Sequence, residues 1–321
     1  MTPEVVTVGH ILMDIQIVVD NFAQPDKEGI VRRISYGGGG SAANVAVGTS
    51  RLGIKSGYIG KVGMDSFGST LLEEIRRDGV DVSRVKIDLD GSTGFTIIII
   101  NKEGQIIMYG FKGVSDKLMP SELDSKYISS ANHLHITGLR LRTAISAAKI
   151  AKKAGVTISF DPGRLMSILG LQKLYPLLRL SDILLLNSSE ASSITNINDH
   201  HEAAKILNKI VSTVIIKMGD KGVYVKSNET EFTIKAHKVN VVDTTGAGDA
   251  FSAGFITGLL EGRDLKEAVI FANAVAALKI TKMGARSLPT RKEVEQFIKH
   301  LDNNAVLHDL SVQRKVFSSS L

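Results

Sequence analysis

From about residue 41 onward the sequence alternates short β-branched runs with segments of helical spacing, and no other feature constrains the fold as much. Val5-Val6-Thr7-Val8-Gly9 reads as a first buried strand. Ser41 to Leu52 and Ser66 to Asp78 read as helices around a short strand at Gly57 to Gly60. Strands are expected at His133 to Thr137, Thr157 to Asp161, Ile183 to Asn187, Thr213 to Lys217 and Gly222 to Val225. Helices are expected at Ala144 to Ala154, Ala247 to Glu261, Leu265 to Ile280 and Arg291 to His300. This pattern predicts an α/β/α three-layer fold, with a mostly parallel sheet covered by helices on both faces. Ligands of such sheets bind beyond the carboxyl ends of the strands, where Gly9, Asp161, Asn187, Gly219 and Asp243 fall.

A second pattern precedes and interrupts the first. Ile15 to Val19, Val31 to Tyr36, Phe95 to Asn101 and Gln105 to Phe111 are rich in β-branched residues. Asn101-Lys102-Glu103-Gly104 between the last two is a hairpin signal. With no helices expected between paired members, these segments predict a small separate sheet, within about residues 12–36 and 92–112 of a domain spanning 1–301. Residues 302–321 read as a partly disordered tail.

Composition narrows the function classes. A chain of 321 residues holds one large α/β domain or two ordinary ones. No run approaches the ~18 apolar residues of a membrane span. Cysteine is absent, which excludes disulfides, thiol catalysis and thiolate metal sites. The net charge of +6 comes from scattered Lys and Arg, aromatics are only 5% and Trp is absent, so nucleic-acid binding is not expected. The first residues lack a basic, then apolar, secretory pattern, and a cytoplasmic location is expected. His133 and His135 alternate on an expected strand without a third ligand at useful spacing, so core or surface roles are expected of them.

The chemistry concentrates at Val241-Val242-Asp243-Thr244-Thr245-Gly246-Ala247-Gly248-Asp249-Ala250-Phe251. The two valines suggest the end of a strand, and a glycine-rich turn then enters a helix. Backbone N–H groups of such a turn converge on an anion, which the helix dipole also favours. Asp249 lies in the first turn of that helix. An anion cradle beside a carboxylate suits phosphoryl transfer to a hydroxyl: one part holds the phosphate and the other takes the proton. A second glycine run, Gly37-Gly38-Gly39-Gly40-Ser41-Ala42-Ala43-Asn44, leaves no Cβ to obstruct a ligand. A dinucleotide fingerprint fits it only loosely, because it does not follow the first strand directly. A Walker A motif is absent.

The run Asp243 to Phe251 resembles the DTxGAGD signature of the PfkB, or ribokinase-like, carbohydrate kinases, and the resemblance extends from Val5 to about Phe297. It implies a three-layer α/β/α domain with a small β-sheet lid, and ATP-dependent phosphorylation of a hydroxymethyl group on a sugar. Asp249 would be the general base, with the Gly246, Ala247 and Gly248 amides stabilising the transferred group. Asp14, Gly38, Gly39 and Asn44 would bind the substrate. Asn187 with Glu190 resembles the family's N-x-x-E motif, tied to Mg²⁺ largely through water. Lys217-Met218-Gly219-Asp220-Lys221-Gly222 resembles a nucleotide-binding turn, with Lys217 where many relatives carry Thr, and Asn273 falls where the family seats adenine. Asp243, Thr245 and the loop around Gly284 resemble a monovalent-cation (K⁺) site. Asp161-Pro162-Gly163-Arg164 departs from the usual Asp-x-Asn-x-Arg, which leaves the role of Arg164 open. Gly60 to Gly68 reads as a turn and helix start with Asp65 as N-cap. The resemblance also implies a homodimer formed through the lid. A ribose-like sugar is the first expectation for the substrate, a nucleoside the second, and a non-catalytic ligand sensor on the same fold the third.

Overall fold

The computed structural model describes residues 2–300, and the expected tail at 302–321 lies outside them. In chain order the strands are β1 (Val5–Gly9), β2 (Leu12–Val19), β3 (Val31–Gly39), β4 (Ser56–Ile59), β5 (Lys61–Gly63), β6 (Lys86–Asp88) and β7 (Thr93–Ile100). They continue with β8 (Ile106–Gly113), β9 (His133–Thr137), β10 (Thr157–Asp161), β11 (Ile183–Asn187), β12 (Thr213–Lys217), β13 (Val223–Ser227) and β14 (Glu231–Ile234).

The main sheet has eight strands in the order β14-β13-β12-β11-β10-β9-β1-β4. From β4 to β12 all neighbours are parallel, and β13 and β14 extend one edge as antiparallel strands. Both faces are covered, which explains the continuous apolar runs. On β11, Leu184 and Leu186 face one core with Ala144, Leu174 and Ala203, whereas Ile183 and Leu185 face another with Phe251, Phe255 and Ala268. Each fully buried side chain of this kind contributes roughly 1.5–3 kcal/mol. His133 and His135 are core residues: His133 Nε2 and His135 Nδ1 lie 2.7 and 2.8 Å from the Ser159 hydroxyl. Burial pushes their pKa values down to about 3 and about 4, so both rings are neutral.

The lid is a four-stranded sheet in the order β3-β2-β7-β8. β7 and β8 form the expected hairpin, closed by Asn101, whose side chain accepts from Gln105 N at 2.8 Å. Its centre differs from expectation. β2 and β7 pair in parallel, and the Ser41–Arg51 and Ser66–Arg77 helices lie between them in sequence. The lid therefore joins two chain segments that local pattern could not connect. Asp65 caps the second of these helices by accepting from Gly68 N at 2.8 Å, and it also accepts from Thr93 N at 2.7 Å on β7.

Val241-Val242 is not a strand end. Both valines are exposed, at 58% and 53%, and the Val242 and Asp243 N–H groups donate to Ile280 O. The glycine-rich turn is thus approached along a strap tied to the 280s loop, not along a strand. Nothing in two β-branched residues distinguishes these settings.

Candidate active site

Gly246 adopts φ 80° at the N-terminus of the Ala247–Leu260 helix. A Cβ there would lie 2.4 Å from Ala285 O, so only glycine fits both the left-handed conformation and the space. The turn sets the helix N-terminus, with Asp249 in its first turn, beside Lys217 at the carboxyl end of β12. The Ala247 N–H, one of three expected to face a transferred group, donates to Thr244 O at 3.1 Å.

Asp249 joins two clusters. On one side its Oδ2 accepts from Asn44 Nδ2 at 2.8 Å, across 205 residues of chain. Asn44 sits in the first turn of the Ser41–Arg51 helix, directly after the glycine run. Gly39, at the end of β3, packs against Asp14 on β2: a Cβ on Gly39 would lie 2.3 Å from Asp14 Oδ2. Arg286, unremarked in the sequence, fills the space over Gly38, where a Cβ would lie 1.8 Å from its Nη1. Its guanidinium donates to Gly39 O at 2.8 Å, Asn44 Oδ1 at 3.3 Å and Glu74 Oε2 at 3.1 Å. By engaging the Asn44 oxygen, Arg286 turns the Asn44 amide nitrogen toward Asp249. Burial pushes the Asp14 carboxyl up to about 6, against the opposing pull of Arg286 and Thr96.

On the other side lies a buried charge cluster. Lys217, at the end of β12, donates to Asp161 Oδ2 at 2.8 Å, and its Nζ lies 3.3 Å from where a Cβ on Gly248 would stand. Burial alone would lower the Lys217 pKa, but Asp161, Glu190 and Asp249 outweigh it and hold it above the ordinary lysine value. Burial and then Asp161 raise the Glu190 pKa, while Lys217 opposes them. The Asp249 carboxyl is raised mainly by burial and also by Asp161, with Asn44 and Lys217 pulling it down. A carboxylate with a raised pKa that accepts a hydrogen bond is suited to receive a proton.

Asn187 and Glu190 form a capping box at the Ser188–Thr195 helix: Asn187 Oδ1 accepts from Glu190 N and Glu190 Oε2 accepts from Asn187 N, both at 2.9 Å. Gly219 (φ 63°) and Gly222 (φ 96°) bracket the turn between β12 and β13. Asn273 is buried in the Leu265–Lys279 helix and donates to Lys235 O at 2.8 Å, which ties that helix to the segment after β14. Asp243 Oδ1 accepts from Thr245 N at 2.9 Å and Oδ2 from Gly284 N at 2.8 Å. Among the described residues no group of three or more His, Cys, Asp or Glu could hold a metal ion. Arg164 is exposed at the start of the Gly163–Ser167 helix and has no ion pair among the described residues. No described helix is long and apolar enough to cross a membrane.

A model of the pfkB family carbohydrate kinases matches residues 2–291. The chain belongs to this family. It is 35% identical over 294 residues to an ATP-dependent ribose-1-phosphate kinase of Halopiger xanaduensis, covering 92% of this chain and 97% of that one. It is also 35% identical over 288 residues to a 2-dehydro-3-deoxygluconokinase of Bacillus subtilis, covering 84% and 88%. The structure of an Arabidopsis thaliana ribokinase complexed with ribose and ATP superposes with a TM-score of 0.85 at 27% identity, covering 93% of this chain and 99% of that one. As a pfkB kinase the protein is a phosphotransferase that acts on alcohol groups of sugars, and its sheet, helices and lid are the ribokinase fold.

Within that frame the structure brings Asp14, Gly38, Gly39, Asn44 and Asp249 together and sets Lys217 beside the glycine turn. Asn273 bonds to Lys235 O and to none of these residues. Sequence reading missed Arg286 and the partners of Lys217. Arg286 stands two residues after Gly284, with no spacing signal that its side chain crosses to the glycine run.

Proposed function

We propose that the protein transfers the γ-phosphoryl group of ATP to a hydroxymethyl oxygen of a sugar, with Asp249 as general base. The observation that carries this reading is the Asn44–Asp249 hydrogen bond, which couples the glycine-rich acceptor side to the N-terminus of the helix beyond the phosphate side. An acceptor hydroxyl lying between Asp14 and Asp249 would lose its proton to Asp249 as its oxygen attacks the phosphorus. The Lys217 ammonium and the N–H groups of Gly246 and Gly248 would meet the charge on the transferred oxygens, and the Ala247 N–H would join them only by leaving Thr244 O. Mg²⁺ travels with nucleotide phosphates and keeps several waters, and the Glu190–Asp161 carboxylate pair beside Lys217 suits those waters. Gly219, Gly222 and Asn273 mark the direction of the nucleoside. The lid would exclude water that competes as acceptor. Its exposed apolar residues, including Ile34, Tyr36, Met108 and Phe111, support pairing of two lids in a homodimer.

The acceptor side favours a ribose-like sugar that carries an anionic group. Lys112, half-buried at the end of β8, and Arg164 have no ion pair among the described residues. Each is close enough for its charge to be felt: burial mainly lowers the Lys112 pKa, and Arg164 lowers it further, while Asp116 and Asp14 oppose. A phosphate or carboxylate would relieve that repulsion. The names of the ribose-1-phosphate and 2-dehydro-3-deoxygluconate kinases agree with such an acceptor. A nucleoside lacks the anion. Incubation with ATP and a panel of free sugars, sugar phosphates, sugar acids and nucleosides, read by ADP release, tests the reading. The highest kcat/KM should fall on an anionic sugar. A nucleoside or free pentose in that place would overturn this assignment, and no ADP release above background with any acceptor would overturn the kinase reading.

A further inference from the structure

Lys279 ends the Leu265–Lys279 helix and is wholly buried, with 0% of its surface exposed. Burying an ammonium is unfavourable unless it is paired and hydrogen-bonded. Its Nζ donates to the main-chain oxygen of Asp243 at 2.9 Å. Asp243 opens the signature run, and its carbonyl, its two carboxylate oxygens and its N–H are all engaged. Lys279 Nζ, Thr245 N and Gly284 N supply the oxygens, and the N–H donates to Ile280 O. The carboxylates facing the ammonium are Asp243 and Asp249, which oppose the effect of burial on its pKa. The C-terminus of a helix also favours a cation.

The family resemblance gives this neighbourhood of Asp243, Thr245 and Gly284 a monovalent cation. The residues present do not fit one. The oxygens that it would coordinate on Asp243 already accept hydrogen bonds, and an ammonium stands against the carbonyl. A K⁺ about 4 Å from that ammonium, at an effective dielectric constant near 20, would bind on the order of 10³-fold more weakly than in its absence. We propose that Lys279 is a built-in monovalent cation: its ammonium holds the Asp243 carbonyl and thereby positions the turn from Asp243 to Gly248, so that the kinase needs no added K⁺. Lys279 touches neither substrate nor phosphate in this account and is a positioning residue. The inference rests on the kinase reading for its activity readout and not for its stability readout.

The test uses the full chain in a tetramethylammonium-based buffer free of K⁺, Na⁺ and NH₄⁺. The wild-type rate of ADP formation should change less than about twofold as K⁺ rises to 100 mM, and its melting temperature should match that in tetramethylammonium chloride of equal strength. Lys279→Ala, which empties the space, should lose about 10²-fold in kcat and regain at least tenfold with K⁺ or NH₄⁺ in a saturable manner. Its melting temperature should become K⁺-dependent. Lys279→Met, which fills the space without charge, should be impaired and not rescued. Saturable tenfold activation of the wild type by K⁺ overturns the proposal, and so does a folded Lys279→Ala that is fully active without K⁺. A folded Lys279→Ala that neither K⁺ nor NH₄⁺ rescues or stabilises also overturns it. If Lys279→Ala does not fold, the wild-type K⁺ titration alone decides. Without turnover on any acceptor the kinase reading fails, and the melting-temperature comparison still judges Lys279.

Discussion

Gly37 and Gly39 stand two residues apart on β3, yet alanine should act very differently at each. A Cβ on Gly37 meets no atom within 4 Å, so Gly37→Ala should leave activity within about twofold of wild type. A Cβ on Gly39 would lie 2.3 Å from Asp14 Oδ2, 2.6 Å from its Cγ and 2.7 Å from its Oδ1. The whole carboxylate must therefore retreat, by at least about 0.7 Å to reach even the shortest tolerated contact. A displacement near 1 Å of a group that orients substrate costs about 10²-fold, or ~2.7 kcal/mol of transition-state binding. Because Asp14 is assigned to the sugar, kcat/KM for the sugar should fall on the order of 10²-fold while the KM for ATP stays within about twofold. Steady-state ADP release with each substrate varied in turn measures both. If Gly39→Ala matches Gly37→Ala, or if its loss falls equally on ATP, Asp14 does not grip the acceptor.

Asp14→Asn should also trade function for stability. Its folded-state pKa of about 6 lies above the ordinary carboxylate value, so ionising Asp14 costs stability, absent below about pH 4 and full above about pH 6. Urea denaturation should find Asp14→Asn more stable by roughly 1–3 kcal/mol at pH 8 and little changed at pH 4; equal gains at both pH values would contradict the assignment. Lys217→Met removes a charge that lowers the Asp249 pKa, so the acid limb of kcat should move to higher pH, with a loss of about 10²-fold at neutral pH. An unmoved limb would separate Lys217 from the base. Ile34→Glu on the exposed lid face should convert a dimer to a monomer in light scattering; a wild-type monomer at micromolar concentration would remove the lid interface.

The sheet was legible because its strands are buried on both faces: Val5–Gly9, Ile183–Asn187 and Thr213–Lys217 carry apolar runs that little else explains. The hairpin of β7 and β8 was legible from Asn101 to Gly104, a local turn. Non-local pairing was not. The parallel β2–β7 contact and the short β5–β6 pair depend on where the intervening helices pack. The exposed Val241-Val242 shows the complementary limit, since β-branched residues also suit an extended strap. In the site, Asp249 and Asn44 were readable as motif residues, but their direct bond was not. Arg286 and Lys279 were invisible for a common reason: a long side chain carries its charge several ångströms from its own backbone, so its partner cannot be read from its neighbours in sequence.

The central claim is that Asp249 takes the proton from the acceptor hydroxyl. Asp249→Asn keeps the shape of the side chain and removes the base. With the best acceptor saturating, kcat should fall by about 10² or more while ATP affinity, read by calorimetry, stays within about threefold. A kcat near that of the wild type would contradict the claim.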